Sequence, residues 1–180
     1  WQFGHVPTDA ADRPLKDVAS GLGKTIGAGV TSDGLREPAY STVLDREFNS
    51  ITPQHEMKWR TIEPTRGTRN FVPGDAIVSY AEGRGMEVRG HTLLWHVSVP
   101  PWVRTLAAPE LQLAVSEHVR ETVAHYRGRV RSWDVVNEAV ADDGSGLRDS
   151  VYLRGLGENF VADAFRLAHE VDPGALLFYN

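Results

Sequence analysis

No cysteine occurs among the 180 residues. Disulfides, thiolate metal sites and a thiol nucleophile are therefore excluded. The compartment stays open, because a chain long enough to build its own core can do without disulfides. No apolar run approaches the roughly 20 residues of a membrane-crossing helix, so no membrane partner is expected. Basic clusters are also missing. Nineteen Lys and Arg stand against 24 Asp and Glu, a formal charge of −5, and nucleic acid is not expected as a partner. There is no repeat of solenoid length, no low-complexity tract and no linker-like stretch, which points to one domain over residues 1–180. The opening "WQFGHVPTDAADRPLKDV" has no Met start and no basic-then-apolar leader, and reads as a mature or trimmed terminus.

Several familiar motifs fail on inspection. "SGLGKT" lacks the first glycine of a phosphate loop, since position 18 is Val, and "GLGKTIG" has Ile26 where a dinucleotide fingerprint needs glycine. "HEMKW" (55–59) and "HEVDP" (169–173) begin like zinc-protease helices, but neither has a second His four residues on. His91 and His96 have no further ligand pattern beside them, and no Gly-x-Ser-x-Gly elbow exists. No metal and no cofactor are expected.

What remains is alternation. Short β-type runs at 25–30, 49–53, 86–91, 130–137 and 175–180 are separated by amphipathic stretches at 38–48, 73–84, 109–126 and 158–171. Such a β-α succession predicts a parallel sheet with helical crossovers, either an open doubly wound sheet or a (β/α)8 barrel. A barrel usually takes about 250 residues. The chain stops at Asn180 inside an apolar run, so the expectation is part of a longer protein.

The chemically informative residues follow the strands: "TPQHEMKW" (52–59), "GHTLLWHVSVPPW" (90–102), and Asn137-Glu138 at the end of "WDVVNEA". In a parallel barrel all strand C-termini face one mouth, where such clusters converge. Trp102 and Trp133 are expected in the core. Trp95, expected in a loop among histidines, offers an indole suited to the apolar face of a sugar. Lys58, between Met and Trp, reads as a directed charge rather than a solvated one. His91, closing a strand, can donate to a hydroxyl. His118 and His125 belong to the long helix and read as structural. Glu138 is the strongest candidate: at the end of a buried strand, desolvation would favour its neutral, proton-donating form. The bland alternative is a buried ion pair. Asn137 does not titrate but can hold a hydroxyl.

"WDVVNEA", "RGHTLLWH", "TPQHEMKW" with "IEPTRGTRNF", and "HYRGRV" stand in an order that resembles glycoside hydrolase family 10, from about residue 15 to the end. The resemblance implies an α/β fold, a (β/α)8 TIM barrel of which only the first half, strands 1 to 5, is present. It implies a retaining endo-β-1,4-xylanase acting on a β-linked polysaccharide, and secretion. Glu138 matches the general acid/base, Asn137 the amide holding the sugar 2-hydroxyl, and Lys58, His91 and Trp95 the surrounding sugar contacts. The nucleophile belongs to strand seven, so the remainder of the barrel is required and the chain alone is expected to be inactive. Gln54 and His55 stand where the family's xylanases usually carry Glu-Asn to grip the next sugar. That substitution raises one alternative, a shifted, tomatinase-like specificity; the length of 180 residues, taken literally, raises another, a partial barrel that only binds sugar. In the last case an apolar inner face is expected to be exposed.

Overall fold

Five parallel strands lie side by side in chain order: β1 (Gly27–Val30), β2 (Ser50–Pro53), β3 (Glu87–Trp95), β4 (Ser132–Asn137) and β5 (Leu176–Tyr179). The structure is a computed structural model and describes residues 12–180. A doubly wound sheet reverses its strand order at a switch point. No reversal occurs here, so the sheet is an arc of a (β/α) barrel. Among the described residues, seven α-helices accompany it: α1 (Leu15–Gly21), α2 (Pro38–Glu47), α3 (Trp59–Ile62), α4 (Val72–Glu82), α5 (Ala108–His125), α6 (Val151–Leu156) and α7 (Phe160–Val171). α2, α4 and α5 each place a proline in the first turn, where a missing N–H costs nothing. α6 is capped by the Ser150 hydroxyl, which accepts from the Leu153 N–H at 3.2 Å.

The core lies between the sheet's outer face and these helices. The stripe read from the sequence of α5 is buried throughout: Leu111, Val115, His118, Val119 and Thr122. The His118 ring stacks on Trp59 at 4.3 Å, and Trp102 meets Trp59 edge-on at 5.9 Å. His118 Nε2 donates to the Leu93 carbonyl at 3.0 Å, while Nδ1 takes the Thr122 hydroxyl at 3.3 Å. His125 pairs with Asp75 at 2.6 Å and stacks on Phe71. Both histidines of α5 are structural. Trp133 is fully buried and faces Gly90 across β3 and β4. A Cβ at Gly90 would lie 2.2 Å from the indole, so only glycine fits beside this tryptophan.

Three expectations need correction. β3 continues to Trp95 rather than ending at His91, because Leu93 and Leu94 are both buried and carry the strand onward. α1, α3 and α6 lie outside the predicted helical stretches: α1 buries no residue at all, α3 spans four residues, and α6 spans six, including Gly155. The inner face is not apolar. Gly27, Gly29, Ser50, Thr52, Arg89 and Ser132 line it, with Leu176 and Phe178 of β5 the large apolar exceptions.

Candidate active site

The inner faces of β1 to β4 and the loop after β2 border an open cleft of about 480 Å³. Gln54, His55, Lys58, Arg89, His91 and Asp134 line it. Four of these are residues that the sequence singles out. Trp95, Asn137 and Glu138 stand at the adjoining strand ends, Trp95 opposite Asn137 in the β3–β4 register.

Glu138 follows β4 directly. Its φ of 54° makes it the one non-glycine residue in the left-handed region among the described residues. Its N–H donates to the Asn180 carbonyl at 2.8 Å. Its side chain is exposed rather than buried, which corrects the sequence expectation. The reason is the turn: positive φ carries the carboxylate out of the apolar strand, where Trp95 Nε1 donates to Oε2 at 2.8 Å. Trp95 is thus the last residue of a strand, not part of a loop, and its indole N–H is spent on a carboxylate. Lys58 Nζ sits 4.6 Å from the centre of the same ring. Burial holds the Lys58 ammonium below its usual pKa, with Glu138 and Glu56 opposing that shift.

Asn137 is 3% exposed, and its Oδ1 accepts from Asn180 Nδ2 at 2.7 Å. That bond orients the amide and leaves Nδ2 as the donor to a ligand hydroxyl.

Arg89 and Asp134 were not singled out from the sequence, yet they organise the cleft. Asp134 is 2% exposed and receives the Arg89 guanidinium through Nε at 3.0 and 3.1 Å and through Nη2. His91 Nδ1 lies 2.9 Å from the other side of the same carboxylate, at Oδ2. Burial raises the Asp134 pKa, but the hydrogen bonds from His91 and Arg89 outweigh it and hold the carboxyl below its ordinary range. An ionised Asp134 fixes Nδ1 as the protonated nitrogen of His91 and turns Nε2 toward other partners. The available signal was an acidic residue inside the apolar strand "SWDVVN".

Glu56, buried at 6%, ties the first two loops together: Oε1 accepts from the Ser32 N–H at 2.7 Å and Oε2 from the His55 N–H at 3.1 Å. Gln54 and His55 are exposed above it. Gln54 folds over Gly29, where a Cβ would come within 2.9 Å of Nε2. The arrangement can therefore bind several hydroxyls and move a proton at Glu138. Among the described residues, no group of three or more His, Asp or Glu is disposed to hold a metal ion.

A family model described as Glycosyl hydrolase family 10 matches residues 14–180. The chain is 45% identical over 157 residues to a beta-1,4-xylanase of Dictyoglomus thermophilum, covering 87% of this chain and 44% of that protein. It is 41% identical over 174 residues to endo-1,4-beta-xylanase B of Thermotoga neapolitana, covering 94% of this chain and 50% of that one. Among solved structures, xylanase 10B of Thermotoga petrophila RKU-1 in complex with xylobiose superposes with a TM-score of 0.89 at 38% identity, over 98% of this chain and 54% of that one. The chain spans about half the length of the curated relatives it matches.

Proposed function

The chain belongs to glycosyl hydrolase family 10, and on that premise we propose that it carries the acid/base side of a retaining endo-β-1,4-xylanase. The observation that carries this reading is Glu138: a carboxylate presented at a strand end, held by the Trp95 indole at 2.8 Å, beside Lys58 and Asn137. Glu138 protonates the glycosidic oxygen as the bond to the departing sugar breaks, and then takes a proton from the water that releases the glycosyl-enzyme. Retention requires a second carboxylate about 5–5.5 Å away as nucleophile. Asp134 is already committed to Arg89 and His91. As the resemblance to the family implies, we assign the nucleophile to the seventh strand of a complete barrel.

In the same reading Asn137 Nδ2 donates to the 2-hydroxyl, a bond that tightens as the ring flattens in the transition state. His91 Nε2 and Lys58 Nζ donate to the other hydroxyls of that sugar. Gln54 and His55, exposed in the cleft, meet the next sugar along. A polymer such as xylan is met outside the cell, so secretion forms part of the proposal.

The test is Glu138→Gln in the protein with its complete barrel, assayed on aryl β-xylobiosides. With a poor leaving group kcat/KM should fall by roughly 10²-fold or more, because the departing oxygen needs the proton. With a good leaving group kcat/KM should stay near the parent value. Equal behaviour on both substrates would sink the assignment.

A further inference from the structure

The left-handed turn at Glu138 needs a holder. Side-chain-bearing residues avoid that conformation because Cβ crowds the following carbonyl. Glu138 has neither a glycine's freedom nor burial to fix it. Three consecutive carbonyls leave this turn, and one residue takes all of them. Arg148 Nε donates to the Glu138 carbonyl at 3.1 Å, its backbone N–H to Ala139 at 2.6 Å, and Nη2 to Val140 at 3.1 Å. Asp142 anchors the guanidinium from the far side, at 2.5 Å to Nη2 and 3.2 Å to Nη1. The intervening loop closes on itself through Ala141 N–H to the Gly146 carbonyl at 2.9 Å and a bridge between Val140 and Leu147. A planar guanidinium with donors on two edges reaches two carbonyls at once in a fixed geometry, which the freely rotating ammonium of a lysine does not impose.

We propose that Arg148 is a positioning residue: by gathering the carbonyls of residues 138, 139 and 140 it holds the Glu138 turn and so aims the carboxylate at the scissile oxygen. This rests on the reading of Glu138 as the acid/base. A loop arginine that only stabilised the fold would lower all rates together. One that aims a proton donor matters most where the proton is needed.

Arg148→Gln and Arg148→Lys are therefore compared with the parent and with Glu138→Gln, all in the complete protein, on aryl β-xylobiosides with poor and good leaving groups, alongside melting temperatures. The expected result is a loss of roughly tenfold or more in kcat/KM with the poor leaving group and less than about threefold with the good one. Arg148→Lys shows the same selective loss, because its charge is kept and its reach is not. Equal losses on both substrates, or parental rates on both, overturn the positioning role. If Arg148→Gln does not fold, Arg148→Lys decides alone on the ratio of the two rates. If Glu138→Gln itself fails to discriminate between leaving groups, the reading of Glu138 falls and the role of Arg148 falls with it. If Glu138→Gln discriminates and the arginine variants do not, only the role of Arg148 is lost.

Discussion

Gly90→Ala tests how tightly the fold and the site share one contact. Gly90 and Trp133 are register partners in β3 and β4. The added Cβ would lie 2.2, 2.3 and 2.6 Å from Cε3, Cζ3 and Cδ2 of the indole, where ordinary contact begins at 3.4 Å. The ring must therefore retreat by about 1.2 Å, the difference between 3.4 and 2.2 Å. It has nowhere to go, since Trp133 is fully buried against Tyr126 with ring centres 6.0 Å apart. Overpacking usually costs 1–3 kcal/mol, and a rigid ring pressed by a backbone-fixed methyl belongs at the upper end, about 3 kcal/mol. For a chain of this size that is a fall of roughly 6–12 °C in melting temperature. The next register pair is His91 and Asp134, so any strand shift that relieves the clash also disturbs their 2.9 Å contact. Thermal unfolding of the chain followed by circular dichroism reads the first effect, and KM for a xylooligosaccharide, measured on the protein with its complete barrel, reads the second. Trp133→Leu leaves a cavity and costs about 3 kcal/mol alone. Combined with Gly90→Ala it removes the clash, so the double variant should be less destabilised than the sum by about 2 kcal/mol. Melting of Gly90→Ala within about 2 °C of the parent, or strict additivity in the pair, would refute this packing account.

Trp95→Phe keeps a ring beneath Lys58 but removes the N–H that Glu138 Oε2 accepts. In the protein with its complete barrel, loss of this hydrogen bond at an exposed carboxylate corresponds to roughly a tenfold loss in kcat/KM on substrates with poor leaving groups, and unchanged rates would show that the indole does not orient the carboxylate. His118 predicts a pH dependence of stability. Burial pushes its imidazole down to about 3; the Leu93 carbonyl opposes this and Arg69 adds to it. The unfolded chain binds that proton near 6.5, so between about 6.5 and 3 unfolding takes up a proton and stability falls as pH falls, by at most about 1.4 kcal/mol per unit. Urea midpoints at about pH 7 and about pH 5 should separate less in His118→Leu than in the parent, and equal separation would contradict the assignment.

Much of this architecture is legible in the order of residues, and the parts that are not share one physical cause. Alternating β and α runs reveal a parallel sheet because periodicity is a local property. Whether that sheet curls into a barrel or reverses at a switch point depends on strand order, which only long-range pairing decides. Lys58, Trp95, Asn137 and Glu138 stand out as candidates for the same local reason, as polar and aromatic residues at or after the ends of apolar strands, whereas His91 lies inside β3. Arg89 and Asp134 are not, because they meet across 45 residues, and the meeting depends on Ser132 lying opposite Arg89 in the register. The extent of β3 is hidden because a histidine looks like an ending, whereas Leu93 and Leu94 after it are buried and carry the strand on to Trp95.

The left-handed turn at Glu138 is the hardest feature to foresee. Glycine or asparagine normally marks such a turn. Here the position belongs to Glu138, so the usual marker is missing, and the carbonyl of the turn is taken ten residues later by Arg148. A site residue that breaks a local rule shifts the cost of doing so onto its neighbours. The neighbour is recognisable only when the backbone carbonyls it gathers can be counted, and nothing local marks an arginine in the loop after a buried strand as the residue that gathers them.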